Sequence, residues 1–237
     1  MEDCSQSHGA KLGNKYVGSF GDVSVWSFCS DKIISTGGEG GMISTNSQKI
    51  YKKIWSLKEI GKDLHKSQIK KTGFNWCHDF FGTNLRLTEM QAALGILQLK
   101  KLDFNLKKRN AANSLIWDSL KKFKSIKIPR VDNSITLAPY RCYIHLNFNY
   151  IKKEWNLKKI VRELNLKNIS CNYGSCSEIY LEKAFKKSNY KITKRLPNAK
   201  KLSETSVAFI INQNMSKNYI KNNILIITKI IAAFTKK

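Results

Sequence analysis

Val23, Val25, Trp26 and Phe28 form an apolar, partly alternating run, a second apolar run opens at Met42, and four glycines around Glu39 lie between them. Two-residue periodicity followed by a glycine cluster predicts a strand, a tight loop carrying Lys32, and a second strand. Ile50, Ile54 and Leu57 recur at helical spacing and predict a helix over 46–61, with Gly61 as its stop. The lysine-rich stretch 62–71, with Gly73 and Trp76 behind it, reads as a loop and a candidate lid or substrate contact. Leu94, Leu97, Leu102, Leu106, Leu115, Ile116 and Leu120 give an extended helical pattern over 87–123, in which Ala92, Ala93 and Gly95 allow close packing. Beyond it, 140–148 alternates as a strand, 157–166 has helical period, 207–211 is a short strand and 216–234 a C-terminal helix. The pattern predicts an α/β body over 1–123, ending in a long linking helix, and a small α+β domain over 124–237.

Composition changes this picture little. An apolar fraction of 42% in 237 residues is enough for a packed core. There is no run of 18 uncharged apolar residues, and Glu2 and Asp3 stand where a signal peptide would carry basic residues, so a soluble cytoplasmic protein with no membrane partner is expected. The formal net charge of +25 raises the question of nucleic acid. The excess is mostly lysine scattered over every predicted helix, with no arginine stripe or aromatic platform, so a solvated lysine surface is the simpler reading and no nucleic-acid partner is expected. Cys4, Cys29, Cys77, Cys142, Cys171 and Cys176 read as free thiols in a reducing compartment. None has partners at metal-ligand spacing, so no metal is expected.

Lys32 is the candidate for chemistry. A lysine held between buried strands can lose hydration and act as a neutral amine nucleophile toward an aldehyde. Taken alone, a loop lysine in so lysine-rich a chain is usually just solvated. The surrounding residues add a resemblance. Ser27-Phe28-Cys29-Ser30-Asp31-Lys32, with Thr36-Gly37-Gly38-Glu39-Gly40-Gly41-Met42 after it, resembles the cofactor-binding lysine segment of the DegT/DnrJ/EryC1/StrS family of pyridoxal-phosphate sugar aminotransferases. Glu2-Asp3-Cys4-Ser5-Gln6-Ser7-His8-Gly9-Ala10 resembles the family's strand-end segment, Gly18-Ser19-Phe20-Gly21-Asp22 its link, and residues 82–95 its asparagine loop and following helix. The order and spacing of the four segments also match. More loosely, 174–185 and 196–206 look like family segments, although Ser177 stands where many members carry proline.

The resemblance implies the PLP-dependent transferase fold of type I, aspartate aminotransferase-like, with pyridoxal 5'-phosphate as cofactor. It makes Lys32 the Schiff-base lysine and the base that moves a proton at the substrate carbon. Asp3 would pair with the pyridine nitrogen, Gln6 lie against the ring, and Ser27 and Asn84 bind phosphate, Asn84 by reaching into the neighbouring subunit of a homodimer. His8 and Arg86 would meet substrate. All but Gln6 have an ordinary alternative: a strand-end aspartate, a serine in a backbone turn, an Asx turn at Asn84, a packed histidine and a loop-anchoring arginine. The chain begins at the pyridine-binding aspartate, so it resembles the later part of such an enzyme. The implied function is amino transfer, from an amino acid such as L-glutamate, to a keto group of a nucleotide-linked sugar destined for surface polysaccharide or a secondary metabolite. A binding or dimerisation remnant without catalysis is the other reading.

Overall fold

A computed structural model describes residues 1–69, 72–174, 178–189, 192 and 194–236. In chain order the described elements are strands β1 (Glu2–Asp3), β2 (Lys11–Leu12), β3 (Lys15–Tyr16), β4 (Ser24–Ser27) and β5 (Gly41–Ser44), then helices α1 (Gln48–Lys58), α2 (Leu64–Gln68), α3 (Glu89–Lys100) and α4 (Leu102–Leu120). There follow β6 (Ile126–Lys127), β7 (Ile135–Thr136), β8 (Cys142–Leu146), α5 (Leu157–Leu166), β9 (Cys171–Tyr173), α6 (Lys183–Lys186), α7 (Pro197–Thr205), β10 (Ser206–Phe209) and α8 (Lys217–Phe234). They divide into two compact units. One holds residues 1–104 and 133–138, the other 105–132 and 139–237. The sequence pattern put the division at 123/124. Among the described residues no helix is long and apolar enough to cross a membrane.

In the first unit β1, β4 and β5 form a sheet in the order β1-β4-β5, β1 parallel and β5 antiparallel to β4. The strand–loop–strand reading of residues 23–42 is therefore seen as β4 and β5. A second small sheet, β3-β2-β7, joins the Lys11–Tyr16 hairpin to a strand 120 residues away in sequence, an arrangement that the periodicity did not suggest. The helix expected over 46–61 is α1, started by Ser47, whose hydroxyl accepts the Ile50 N–H. The stretch 62–71 is not simply a loop: Asp63 accepts the Lys66 N–H and starts the short helix α2, while Lys70 and Lys71 lie outside the described residues. The single helix expected over 87–123 is two, with Lys101 between them in a tightened last turn whose N–H reaches both Gln98 and Leu99 carbonyls.

The second unit has the order β6-β8-β10-β9, all antiparallel. Its core comes from three helical stripes: Ala112, Ile116 and Leu120 of α4, Ile160, Val161 and Leu164 of α5, and Ile220, Ile227, Ile231 and Phe234 of α8. Against them lie Cys142, Ile144 and Leu146 of β8 and Val207 and Phe209 of β10. The sequence readings of a strand in 140–148, a helix over 157–166 and a C-terminal helix over 216–234 correspond to β8, α5 and α8. The N-caps of α5 and α8 are Asn156 and Ser216. Cys142 and Cys171 are free and buried, and burial pushes the Cys171 thiol up to about 12, so it stays protonated.

Arg109 is an exception in this core. Its side chain is 3% exposed, and its guanidinium donates to the carbonyls of Pro139, Tyr140 and Ile211 and to Gln213 Oε1, at 3.0–3.3 Å. The arginine stitches α4 to the ends of two chain segments. An Arg109→Leu variant leaves those acceptors buried without donors, and the expected cost is roughly 3 kcal/mol, read from urea unfolding of the whole chain.

Glu178 ties α7 to the segment before α6. Arg195 donates to it twice at 2.8 Å, the Tyr180 hydroxyl once at 2.8 Å, and Ser203 at 3.3 Å. Foremost through Arg195, these donors hold the carboxyl at about 2, against the usual 4.5. A carboxyl depressed in the folded state contributes stability that is complete above about 4.5 and is lost as the pH falls toward 2. In a Glu178→Gln variant the loss of stability across that acid window is expected to be shallower than in the parent, measured by thermal unfolding at stepped pH.

Candidate functional site

All seven residues singled out from the sequence lie in the first unit. Because β1 and β4 are parallel, their last residues, Asp3 and Ser27, both stand at the carboxyl ends of neighbouring strands, where open α/β sheets bind ligands. Gln6 sits exposed in the turn just after β1, and Lys32 five residues beyond Ser27.

Sequence directs the loop after β4 to fold on itself. Phe28 N–H donates to the Gly40 carbonyl at 2.8 Å, Thr36 N–H to the Phe28 carbonyl, and Lys32 N–H to the Cys29 carbonyl. Gly37 and Gly38 take φ of +84° and +155°, which other residues resist. A Cβ on Gly40 would stand 2.3 Å from Thr36 Oγ1, and one on Gly41 2.9 Å from the Trp26 carbonyl oxygen. The glycines thus allow close packing of the loop on itself.

This folding leaves the Lys32 side chain 15% exposed, its Nζ 3.8 Å from Asp31 Oδ1. The hydroxyl and N–H of Ser5, together with the positive charge of Lys32, hold the Asp3 carboxyl below the usual carboxylate range. Ser27 Oγ accepts the Cys29 N–H at 3.4 Å. His8 is 2% exposed, its ring centroid 5.5 Å from that of Trp26 and 5.9 Å from that of Phe28.

Asn84 lies on a separate support. Thr83 and Leu85 N–H groups donate to the Leu57 and Lys58 carbonyls at the end of α1, so the loop before α3 is seated on that helix. Asn84 Oδ1 accepts from Arg86 Nε at 3.0 Å, and Arg86 Nε is also 3.2 Å from Glu59 Oε2. The arginine engages the oxygen end of the Asn84 amide.

Two contributors escaped the sequence reading. The Glu2 carboxylate accepts the N–H groups of Gly18, Phe20 and Gly21 at 2.6–2.8 Å, anchoring the 18–21 link across the end of β1 and holding the Glu2 carboxyl below its usual range. Glu59 orients Arg86 from 27 residues upstream. A glutamate next to the aspartate was visible in sequence; the Glu59 contact left no local signal.

A model described as the DegT/DnrJ/EryC1/StrS aminotransferase family matches residues 1–228. The chain belongs to that family. It is 40% identical over 114 residues to GDP-perosamine synthase of Escherichia coli O157:H7, a match covering 48% of this chain and 29% of that protein. It is 37% identical over 134 residues to the UDP-4-amino-4,6-dideoxy-N-acetyl-beta-L-altrosamine transaminase of Campylobacter jejuni, covering 54% of this chain and 33% of that one. Among solved structures, an aminotransferase from Psychrobacter cryohalolentis superposes with a TM-score of 0.92 at 39% identity, over 98% of this chain and 62% of the other. The mixed α/β architecture is that of the fold type I aminotransferases. This DegT/DnrJ/EryC1/StrS member spans less than two thirds of each of these relatives.

Proposed function

We propose that this chain carries the lysine-bearing part of a pyridoxal-phosphate-dependent aminotransferase that transfers an amino group, with L-glutamate as donor, to a keto carbon of a nucleotide-linked sugar. The observation that carries this reading is a mostly buried Lys32 in the loop after β4, with Asp3 and Ser27 at the carboxyl ends of two neighbouring parallel strands.

The donor set suits the cofactor. Asp3 is biased toward its ionised form, the state that pairs with a protonated pyridine nitrogen. Ser27 offers a hydroxyl and Asn84 an amide NH2, both suited to phosphate oxygens. When bound, pyridoxal phosphate supplies the electron sink for the substrate carbon. Lys32 serves as the point of covalent attachment and, once released, as the base that carries a proton at the reacting carbon. Gln6, exposed in the turn just after β1, would lie against the ring. We assign His8 and Arg86 to positioning: His8 packs the aromatic floor formed with Trp26 and Phe28, and Arg86 aims Asn84. In the assembled enzyme we place Asn84 at the neighbouring site of a homodimer.

The sugar substrate is favoured by the relatives, which are a perosamine synthase and an amino-sugar transaminase. The test is release of 2-oxoglutarate from L-glutamate by the chain with pyridoxal phosphate, followed by transfer to nucleotide-linked keto sugars. About one equivalent of 2-oxoglutarate per chain in the first half-reaction supports the proposal. No release, either from this chain or from a form joined to the part of the Psychrobacter enzyme that this chain does not match, leaves the non-catalytic binding remnant as the better reading.

A further inference from the structure

In the second unit the fold gathers charge that the sequence spreads out. Three distant segments meet where α4 and α8 end. The Ser125 and Thr235 hydroxyls lie 2.6 Å apart, Asn147 N–H donates to the Ser125 carbonyl at 2.8 Å, and Lys236 N–H donates to the Tyr150 carbonyl at 2.8 Å. Residues 121–127, 147–159 and 233–236 are thereby brought side by side. The first two segments carry four lysines each and the third carries Lys236, against one acid, Glu154, and no arginine. All of these lysines but Lys152 and Lys159 are exposed. Lys121 is paired, with Asp118 at 2.8 Å. Lys152 Nζ donates to the Ala233 carbonyl at 2.7 Å and Lys236 Nζ to the Asn149 carbonyl at 2.8 Å, contacts that place an ammonium group without neutralising it.

Charge of one sign at this density draws polyanions. The residue types narrow the partner. Arginine grips a single phosphate with a planar fork, whereas lysine supplies an undirected point charge, so a lysine patch suits a surface of many phosphates. Its rings are not open platforms for stacked bases, because ammonium groups already lie over them. Lys122 Nζ is 5.3 Å from the Phe123 ring centroid, Lys124 Nζ 6.0 Å from that of Tyr150, and Lys159 Nζ 4.5 Å from that of Trp155. Phe148 and Tyr150, 37% and 41% exposed, add apolar surface among the charges, a mixture that suits the boundary between water and lipid.

We propose that this part of the second unit is a docking surface for the phosphate headgroups of an anionic lipid bilayer, attracted by the lysine cluster, with Phe148 and Tyr150 at headgroup level. The contact is peripheral and needs no spanning helix. It rests on the placement of these three segments, and does not depend on the amino-transfer reading.

The test sediments the whole chain with phosphatidylcholine vesicles that lack or contain phosphatidylglycerol, at low and at physiological salt. Binding is expected with phosphatidylglycerol present, and is expected to weaken as salt rises. A Lys122→Gln/Lys124→Gln/Lys153→Gln variant is expected to bind at least tenfold more weakly. A Lys49→Gln/Lys52→Gln/Lys53→Gln variant has the same net charge but loses exposed lysines of α1 instead, and is expected to change binding less than about twofold. Acetylation footprinting of the parent chain gives a reading free of substitutions: the anionic vesicles are expected to slow modification of Lys122, Lys124 and Lys153. The proposal is overturned if phosphatidylglycerol adds no binding, or if the two triple variants lose binding equally. It is also overturned if a single-stranded oligonucleotide protects those lysines at a salt concentration where the vesicles do not, since the patch is then a nucleic-acid surface. None of these results bears on whether Lys32 takes up the cofactor.

Discussion

A Lys32→Ala variant is expected to lose covalent capture of pyridoxal phosphate entirely, and to lower amino transfer by at least about three orders of magnitude in any assembled form of the enzyme. Its fold should hardly change. The Lys32 ammonium lies 3.8 Å from Asp31, whose side chain is 44% exposed, and pairs of that kind contribute about 1 kcal/mol or less. The unfolding midpoint of the variant is therefore expected close to that of the parent, and a folded protein that no longer takes up the cofactor separates loss of the amine from loss of structure. Lys32→Arg sharpens the comparison. It keeps the positive charge, removes the nucleophile, and should behave like the alanine variant in capture. If Lys32→Arg still captured cofactor, the attachment point would lie elsewhere.

The second large effect is expected at Gly61, remote from Lys32 in sequence. Gly61 has φ of +85°, and a Cβ there would stand 1.7 Å from the Phe80 carbonyl oxygen and 3.2 Å from the Gly82 nitrogen. These are backbone atoms, so no side-chain rotation relieves the clash. The loop they belong to is seated on the end of α1 by the Thr83 and Leu85 N–H groups and carries Asn84. Gly61→Ala is expected to cost roughly 3 kcal/mol, from strained backbone and displaced carbonyl together, measured by urea unfolding. It should also free the 79–86 loop to exchange its amide protons. If Asn84 binds the phosphate as proposed, cofactor affinity should fall with it, whereas the covalent site at Lys32 stays chemically intact.

Much of the fold was legible where side-chain period and capping residues agree. β4 and β5 follow from the apolar runs on either side of the glycines, and α1 and α8 start at Ser47 and Ser216, hydroxyls that accept an N–H three residues on. The break at Lys101 was not legible, because no glycine or proline marks it and the apolar residues of α3 are not confined to one stripe. Strands of two residues such as β6 and β7 are too short for alternation to register; β7 exists because β2 offers an edge to Ile135 and Thr136. The Lys11–Tyr16 hairpin had a signal in Gly13-Asn14, with Gly13 at φ +58°, that the pattern of larger apolar residues overshadowed.

The candidate site divides the same way. Asp3, Ser27 and Lys32 stand out because family-like segments carry them in order, and the parallel pairing of β1 with β4 sets Asp3 and Ser27 at the ends of neighbouring strands. The roles of Glu2 and Glu59 depend on which backbone amides and which arginine the chain brings to them, and that is settled by the loops at 18–21 and 83–86 folding back. Ser177, in a segment read from the sequence, lies outside the described residues.

The most direct test of the central claim is mass-spectrometric mapping of the chain after incubation with pyridoxal phosphate and borohydride reduction, carried out both alone and joined to the part of the Psychrobacter enzyme that this chain does not match. The account predicts one reduced cofactor adduct, on the peptide containing Lys32, at least in the joined form. Adducts spread over surface lysines in both forms, with Lys32 unmodified, would contradict it.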